Sequence, residues 1–166
     1  MKRIGIFGGT FDPVHNGHIR VARSAVEDLS LDILLVVPAA VSPFKTGRPA
    51  TVLPYDRIGL LEKAFVGVPK VRVDMREIDR GGVSYTIDTV KDVASEHPGS
   101  EIFLIVGADS MQTLPQWRDY VNLASLCTFK PYPRTPESST EIRRRLLAGE
   151  SISGLVPAFL EKEYLG

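Results

Sequence analysis

The chain has 166 residues, which suits one domain spanning 1–166 on the usual scale of about 100–200 residues each. Its 20 Lys and Arg balance its 20 Asp and Glu, so the net charge of zero argues against a general polyanion binder and predicts no nucleic-acid partner. The single cysteine, Cys127, excludes an intramolecular disulfide and a multi-cysteine zinc site, and no apolar stretch approaches the ~20 residues of a membrane span.

After Met1, Lys2 and Arg3 the first apolar run, IGIF at 4–7, is too short for a signal peptide and reads as a strand; the expected location is cytoplasmic. Gly8 and Gly9 end that strand. Residues 18–29 read as a helix with Ala22, Ala25, Val26 and Leu29 on one stripe. ILLVV at 33–37 is the second strand. VSPFKTGRPATVLP at 41–54 is a loop long enough to serve as a substrate-binding loop. A helix at 55–65 carries Ile58, Leu61, Ala64 and Phe65 on one stripe, followed by a strand at 71–74 and a helix at 86–94 with Ile87, Val90 and Ala94. IFLIV at 102–106 and CTF at 127–129 complete the strands, KPYPRTPE at 130–137 reads as a loop, and short helices at 139–147 and 156–165 form a helical tail. The unbroken runs ILLVV and IFLIV mark strands covered on both faces. Alternating strands and helices predict an α/β fold: a doubly wound, Rossmann-like parallel sheet of about five strands with crossover helices. Such sheets bind ligands beyond the carboxyl ends of their strands.

The first such end is GIFGGTFDPVHNGH at 5–18. Two glycines permit a sharp turn and close ligand approach. Asn16 and Gly17 precede the helix, so its first-turn N–H groups form an anion site. His15 and His18 sit at that helix start and can donate hydrogen bonds to phosphate oxygens, more strongly when protonated. The set suits a polyphosphate and the charge of a leaving pyrophosphate. A metal reading of the histidine pair lacks further ligands: His97 sits in SEHPG, a surface loop, and Cys127 begins a distant strand. No protein-held metal site is expected. Arg143 lies in SSTEIRRR at a helix start with Ser139 or Thr140 as the cap, while Arg144 and Arg145 read as a solvated face.

GGTFDPVHNGH resembles the nucleotidyltransferase signature G-x-F-D-x-x-H-x-G-H through Gly9, Phe11, Asp12, His15, Gly17 and His18. SSTEIR at 138–143 resembles the second motif, I-S-S-T-x-I-R. GGVSYTIDT (81–89), IVGADSMQTLPQW (105–117) and LDILLVVPAAVSPFK (31–45) resemble the S-Y-T-x-D-T, G-x-D-x-x-x-x-L-x-x-W and P-x-K motifs of bacterial nicotinate mononucleotide adenylyltransferases. The resemblance covers almost the whole chain in order. It implies transfer of AMP from ATP to nicotinate mononucleotide, giving deamido-NAD and pyrophosphate, with Mg²⁺ assisting.

The resemblance also implies roles. His15, His18 and Arg143 would be catalytic. ATP would meet Gly8, Gly9, Thr10, Phe11, His15, Gly17, His18, Gly107, Asp109, Ser139, Thr140 and Arg143. The mononucleotide would meet Lys45, Ser84, Tyr85, Thr86 and Trp117. Trp117, the sole tryptophan, suits stacking of a pyridinium ring as well as it suits a core. The helix start after Ser84–Thr86 would favour a carboxylate over a neutral amide; the bland reading of Thr86 is an N-cap, and that of Asp109 is a cap for SMQTL. Asp12 reads as a loop-holder through backbone N–H groups.

The sequence departs from the family in four places. The 127–138 segment is short, which leaves the adenine side in question. Glu137 stands where the motif has an apolar residue, Phe44 replaces the histidine of P-H-K, and the C-terminus is trimmed. The length approaches that of phosphopantetheine adenylyltransferases, the runner-up family, although SYTIDT and GADSMQTLPQW have no counterpart there. A non-catalytic nucleotide sensor is the alternative of a different class. Homo-oligomerisation stays open.

Overall fold

A computed structural model describes residues 1–47 and 50–165; Arg48 and Pro49 of the long loop, and Gly166, lie outside the described residues. Each apolar run expected as a strand is one. β1 (Arg3–Gly9), β2 (Ile33–Pro38), β3 (Val71–Val73), β4 (Glu101–Gly107) and β5 (Thr128–Tyr132) form a single all-parallel sheet ordered β3-β2-β1-β4-β5. The described helices are α1 (Asn16–Asp28), α2 (Pro54–Ala64), α3 (Arg76–Arg80), α4 (Thr86–Glu96), α5 (Tyr120–Leu126), α6 (Ser139–Ala148) and α7 (Glu161–Leu165). No described helix is long and apolar enough to cross a membrane.

The sheet is covered on both faces because successive strand residues point to opposite sides. Leu34 and Val36 join Phe103 and Ile105 in a cluster with α1 and α2, through Ala22, Ala25, Leu61 and Ala64. Leu35 and Val37 join Ile4, Ile6, Ile102 and Leu104 in a second cluster with α4 and α5, through Ile87, Val90 and Leu123. Gly5 shows how tight the first cluster is: a Cβ there would lie 2.6 Å from Leu31 Cδ1.

Three expectations need correction. β5 runs on to Tyr132, so Lys130–Tyr132 is strand rather than loop and pairs with Ile105–Gly107. Pro131 is tolerated because β5 is a sheet edge, where a missing N–H breaks no ladder bond. The second tail helix does not start at Val156. Pro157 disfavours helical backbone at the residue before it, Val156 packs with Ile142 and Ile152 instead, and a 3₁₀ turn at Ala158–Leu160 leads into α7. Helices α3 and α5 went unforeseen, since 5 and 7 residues are too short to show a period.

The tail wraps the start of α1. Asn16 donates its amide to Leu155 O (2.9 Å) and its side-chain Nδ2 to Gly154 O (3.0 Å), and Tyr164 Oη donates to Val14 O (2.9 Å). A second tie lies deeper. Arg57 is 1% exposed, and its guanidinium donates to Thr10 O (2.8 Å), Ala39 O (2.8 Å) and Val52 O (3.2 Å). One side chain thereby joins the ends of β1 and β2 to the long loop. The Asp12 carboxylate stabilises that buried charge.

Arg57→Met keeps the bulk but strips three carbonyls of their donor. The expected loss is about 3 kcal/mol, or about 6–12 °C in a thermal melt of a chain this size.

Candidate active site

Strand order reverses between β1 and β4, and the crevice beyond their carboxyl ends is where doubly wound sheets take ligands. Gly8 and Gly9 close β1 on one side and Gly107 closes β4 on the other.

Helix α1 begins with a reciprocal pair of bonds. His15 is the N-cap residue; its Nδ1 accepts from Gly17 N (3.0 Å) and His18 N (3.4 Å), while His18 Nδ1 accepts from His15 N (3.1 Å). The rings stack at 3.7 Å between centroids, and the Phe11 ring meets His18 at 4.8 Å. A ring nitrogen that accepts an amide hydrogen carries no proton, so each neutral imidazole holds its hydrogen on Nε2. Burial lowers His15 to about 4 and lowers His18 well below its ordinary value; Glu137 pulls His15 the other way, and each neighbouring positive charge adds to the lowering. This corrects the sequence reading twice. The imidazoles are neutral donors rather than cations. The first-turn amides of α1 are already held, by His15 Nδ1 and by Leu155 O, so the α1 contribution to an anion site is the two Nε2–H groups and the helix dipole.

Helix α6 is fastened to the same loop. Ser138, not Ser139 or Thr140, is its cap, accepting from Glu141 N (3.0 Å), because Ser139 is already the first helical residue. Ser139 Oγ is freed to donate to Pro13 O (2.8 Å). The amides of Ser139 and Thr140 stand at the helix N-terminus, where no intrahelical acceptor exists. Arg143 donates to Asp12 O (2.6 Å) and to Thr140 Oγ1 (3.3 Å) and lies 3.7 Å from the Asp12 carboxylate. Asp12 does bond backbone N–H groups as expected, but those of the distant Thr51 and Val52 (2.8 Å each).

These groups bound a cavity of about 640 Å³ that gathers His15, Gly17, His18, Lys45, Gly107, Asp109, Ser139, Thr140 and Arg143. A second cavity, of about 210 Å³, holds Gly8, Gly9, Thr10, Lys45, Ser84, Thr86 and Trp117. Lys45 lines both. Tyr85 and Trp117 open outward into a third hollow with Phe44, whose ring lies 5.8 Å from the indole. Phe11 differs from expectation: its side chain is buried in the core beneath α1. Tyr85, not Thr86, is the N-cap residue of α4, and no side chain caps that helix. Asp109 sits inside a 3₁₀ turn led by Gly107 and pairs with Arg134 (2.7 Å) instead of capping. Ser84 is buried, with its amide on Val41 O (2.8 Å) and its Oγ accepting from Ala40 N (2.9 Å).

Glu77 and Arg20 gave no sequence signal. Glu77 is buried in the wall of the Trp117 cavity, where the Thr89 hydroxyl donates to it and the Ser84 hydroxyl bonds it as well. Burial pushes its carboxyl above the ordinary range. The Trp117 indole N–H is buried without a partner. Arg20 forks onto Glu137, whose position already stood out, as a charge in an apolar slot. Among the described residues, no three His, Cys, Asp or Glu side chains gather as a metal cluster.

The fold and the cavity past its strand ends are those of a nucleotidyltransferase: residues 6–145 match the cytidylyltransferase-like family model. Among curated proteins, "Probable nicotinate-nucleotide adenylyltransferase" of Gemmatimonas aurantiaca is 37% identical over 93% of this chain and 86% of its own length. The nicotinate-nucleotide adenylyltransferase of Bacillus subtilis is 34% identical over 98% and 95%. A Plasmodium falciparum nicotinic acid mononucleotide adenylyltransferase, solved in complex with NaAD, shares the fold at a TM-score of 0.77 and 17% identity, covering 99% of this chain and 95% of that one. The chain belongs to the nicotinate-nucleotide adenylyltransferase family.

Two titrations follow from the buried groups. A histidine lowered by folding stabilises fully above about pH 6.5, and that stability is lost as pH falls toward the folded value. In NMR of the free protein, the His15 ring should titrate at about 4, and an ordinary midpoint would contradict the cap geometry. Glu77 has the opposite sign: its contribution is complete below the ordinary carboxyl range and lost as pH rises. Glu77→Gln should therefore gain in melting temperature relative to the parent as pH rises through and above the ordinary carboxyl range.

Proposed function

We propose that the chain transfers AMP from ATP to nicotinate mononucleotide, releasing pyrophosphate and forming deamido-NAD. The observation that carries this reading is the meeting of two cavities at Lys45: one bounded by two imidazole donors and Arg143, the other by an indole and an uncapped helix start.

The reaction joins a phosphate oxygen to the α-phosphorus of ATP as the bond to the β,γ-pyrophosphate breaks. The nucleophile is already an anion, so no proton need be abstracted. The work is positioning and charge stabilisation. The Nε2–H groups of His15 and His18 are fixed donors needing no protonation, and Arg143, the Ser139 and Thr140 amides and Lys45 add positive potential. Gly17 and Gly107 shape the ATP side, with Asp109 on the ribose, while Gly8, Gly9 and Thr10 line the adjoining cavity that meets it at Lys45. Trp117 stacks the pyridine ring, and Ser84, Tyr85 and Thr86 present the α4 start to its carboxylate. Glu77 does not oppose that carboxylate directly, because the Thr89 and Ser84 hydroxyls engage it within the wall. Mg²⁺ ordinarily binds through one or two carboxylates plus substrate phosphates. The donor set here fits that mode: with Asp109 exposed at the rim, the triphosphate itself would carry most of the ligands of a bound Mg²⁺, which would supply charge neutralisation there. We place the enzyme in the cytoplasm, as a single domain with its helical tail at about 139–166.

Pyrophosphate release should be measured from ATP with nicotinate mononucleotide, nicotinamide mononucleotide or phosphopantetheine. Turnover on the first is expected to exceed the others at least about tenfold; preference for phosphopantetheine, or ATP binding without release on any acceptor, overturns the reading. His15→Asn retains a capping oxygen but no Nε2–H. It should cut kcat by about 100-fold while leaving the melting temperature nearly unchanged.

A further inference from the structure

The Arg20–Glu137 pair joins α1 to the one position of the second motif that departs from its pattern. Glu137 immediately precedes the Ser138 cap of α6, and its side chain is 7% exposed. Arg20, one turn into α1 beyond His15 and His18, donates from Nη1 to Glu137 Oε2 (2.7 Å) and from Nη2 to Oε1 (2.5 Å). Glu137 lines the cavity of about 640 Å³ together with His15, Gly17, Ser139 and Arg143. The neighbouring segment sits directly on the helix start. Thr135 Oγ1 donates to Glu137 O (3.2 Å), and a Cβ on Gly17 would collide with Thr135. The shortened connection from β5 thus brings a negative charge to the wall of a site that must take a polyanion.

A buried carboxylate at an anion site is tolerable only while its charge is matched. Two arginines that line the cavity have partners other than Glu137: Arg143 is on Asp12 O and Arg134 is on Asp109. From this placement, and resting on the proposed ATP-dependent reaction, we infer that Arg20 is a positioning residue for the triphosphate. Its fork neutralises Glu137 and turns both carboxylate oxygens away from the incoming phosphates. Removing Arg20 alone exposes the bound polyphosphate to an unpaired charge. Removing Glu137 alone, or both together, does not. This separates a counter-charge from a mechanical staple, for which all three variants would suffer alike.

Binding of ATP with Mg²⁺ to the full chain, followed by calorimetry, tests this without any acceptor. Arg20→Gln should weaken binding about tenfold or more. Glu137→Gln and the double variant should stay within about threefold of the parent. In turnover, Arg20→Gln should raise KM for ATP while leaving KM for the acceptor within about threefold. Parental affinity in Arg20→Gln overturns the inference, as does a double variant or Glu137→Gln as weak as Arg20→Gln. Should Arg20→Gln fail to fold, the double variant decides alone: parental affinity supports the counter-charge, and a tenfold loss overturns it. A wrong acceptor leaves this test intact, whereas a parent protein that binds no ATP removes the proposed function itself.

Discussion

The site depends on a side chain that accepts at one end and donates at the other. Helix α1 must begin directly after the first strand's turn, so its leading amides need an acceptor inside the fold. Serine or aspartate would usually supply it. Here the His15 Nδ1 takes the amides of Gly17 and His18, and the His18 Nδ1 takes that of His15. Asparagine could cap but could not reach outward, and aspartate would place a negative charge against a phosphate. Imidazole satisfies the helix with one nitrogen and presents a hydrogen from the far side of a rigid ring with the other. Because the capping bonds select the tautomer, the donor is in place before any ligand arrives, which is the condition for electrostatic catalysis without reorganisation.

Around that pair the fold solves a problem of buried charge. Arg57 is fully buried yet meets three backbone carbonyls and a nearby Asp12. Asp12 in turn takes two loop amides and stands beside Arg143. Glu137 is buried but forked by Arg20. Each charge is compensated by a group from another element, so the same bonds that remove the desolvation penalty also hold the first loop, the 41–54 loop and α6 in one arrangement. The departure of Glu137 from the family pattern belongs to this economy of charge rather than to a damaged motif, since its partner lies across the cavity wall on α1.

The wall of the Trp117 cavity follows another rule. The β2 loop and the start of α4 are joined through Ser84, which bonds Ala40, Val41 and Glu77. Glu77 makes that wall at a cost, because burial disfavours its ionised form. A wall built from a destabilised carboxylate and two hydroxyls is a place where the chain gives up stability for shape.

All five strands and four helices, α1, α2, α4 and α6, were legible from local pattern, because a strand buried on both faces must be an unbroken apolar run and a helix must repeat its apolar stripe. The clustering of His15, His18, Ser139, Thr140 and Arg143 was legible too, through motif resemblance and the rule that ligands sit past strand ends. Only the tertiary structure could decide the protonation of the histidines, the use of the α1 amides, the burial of Phe11, Ser138 as the cap, and the partners of Asp12, Glu77 and Glu137. Those properties depend on which groups, as far apart in the chain as Asn16 and Leu155, come within a hydrogen bond of one another and lose their water. Sequence pattern carries the period of an element, but a charge or a tautomer is set by the neighbours that folding brings to it.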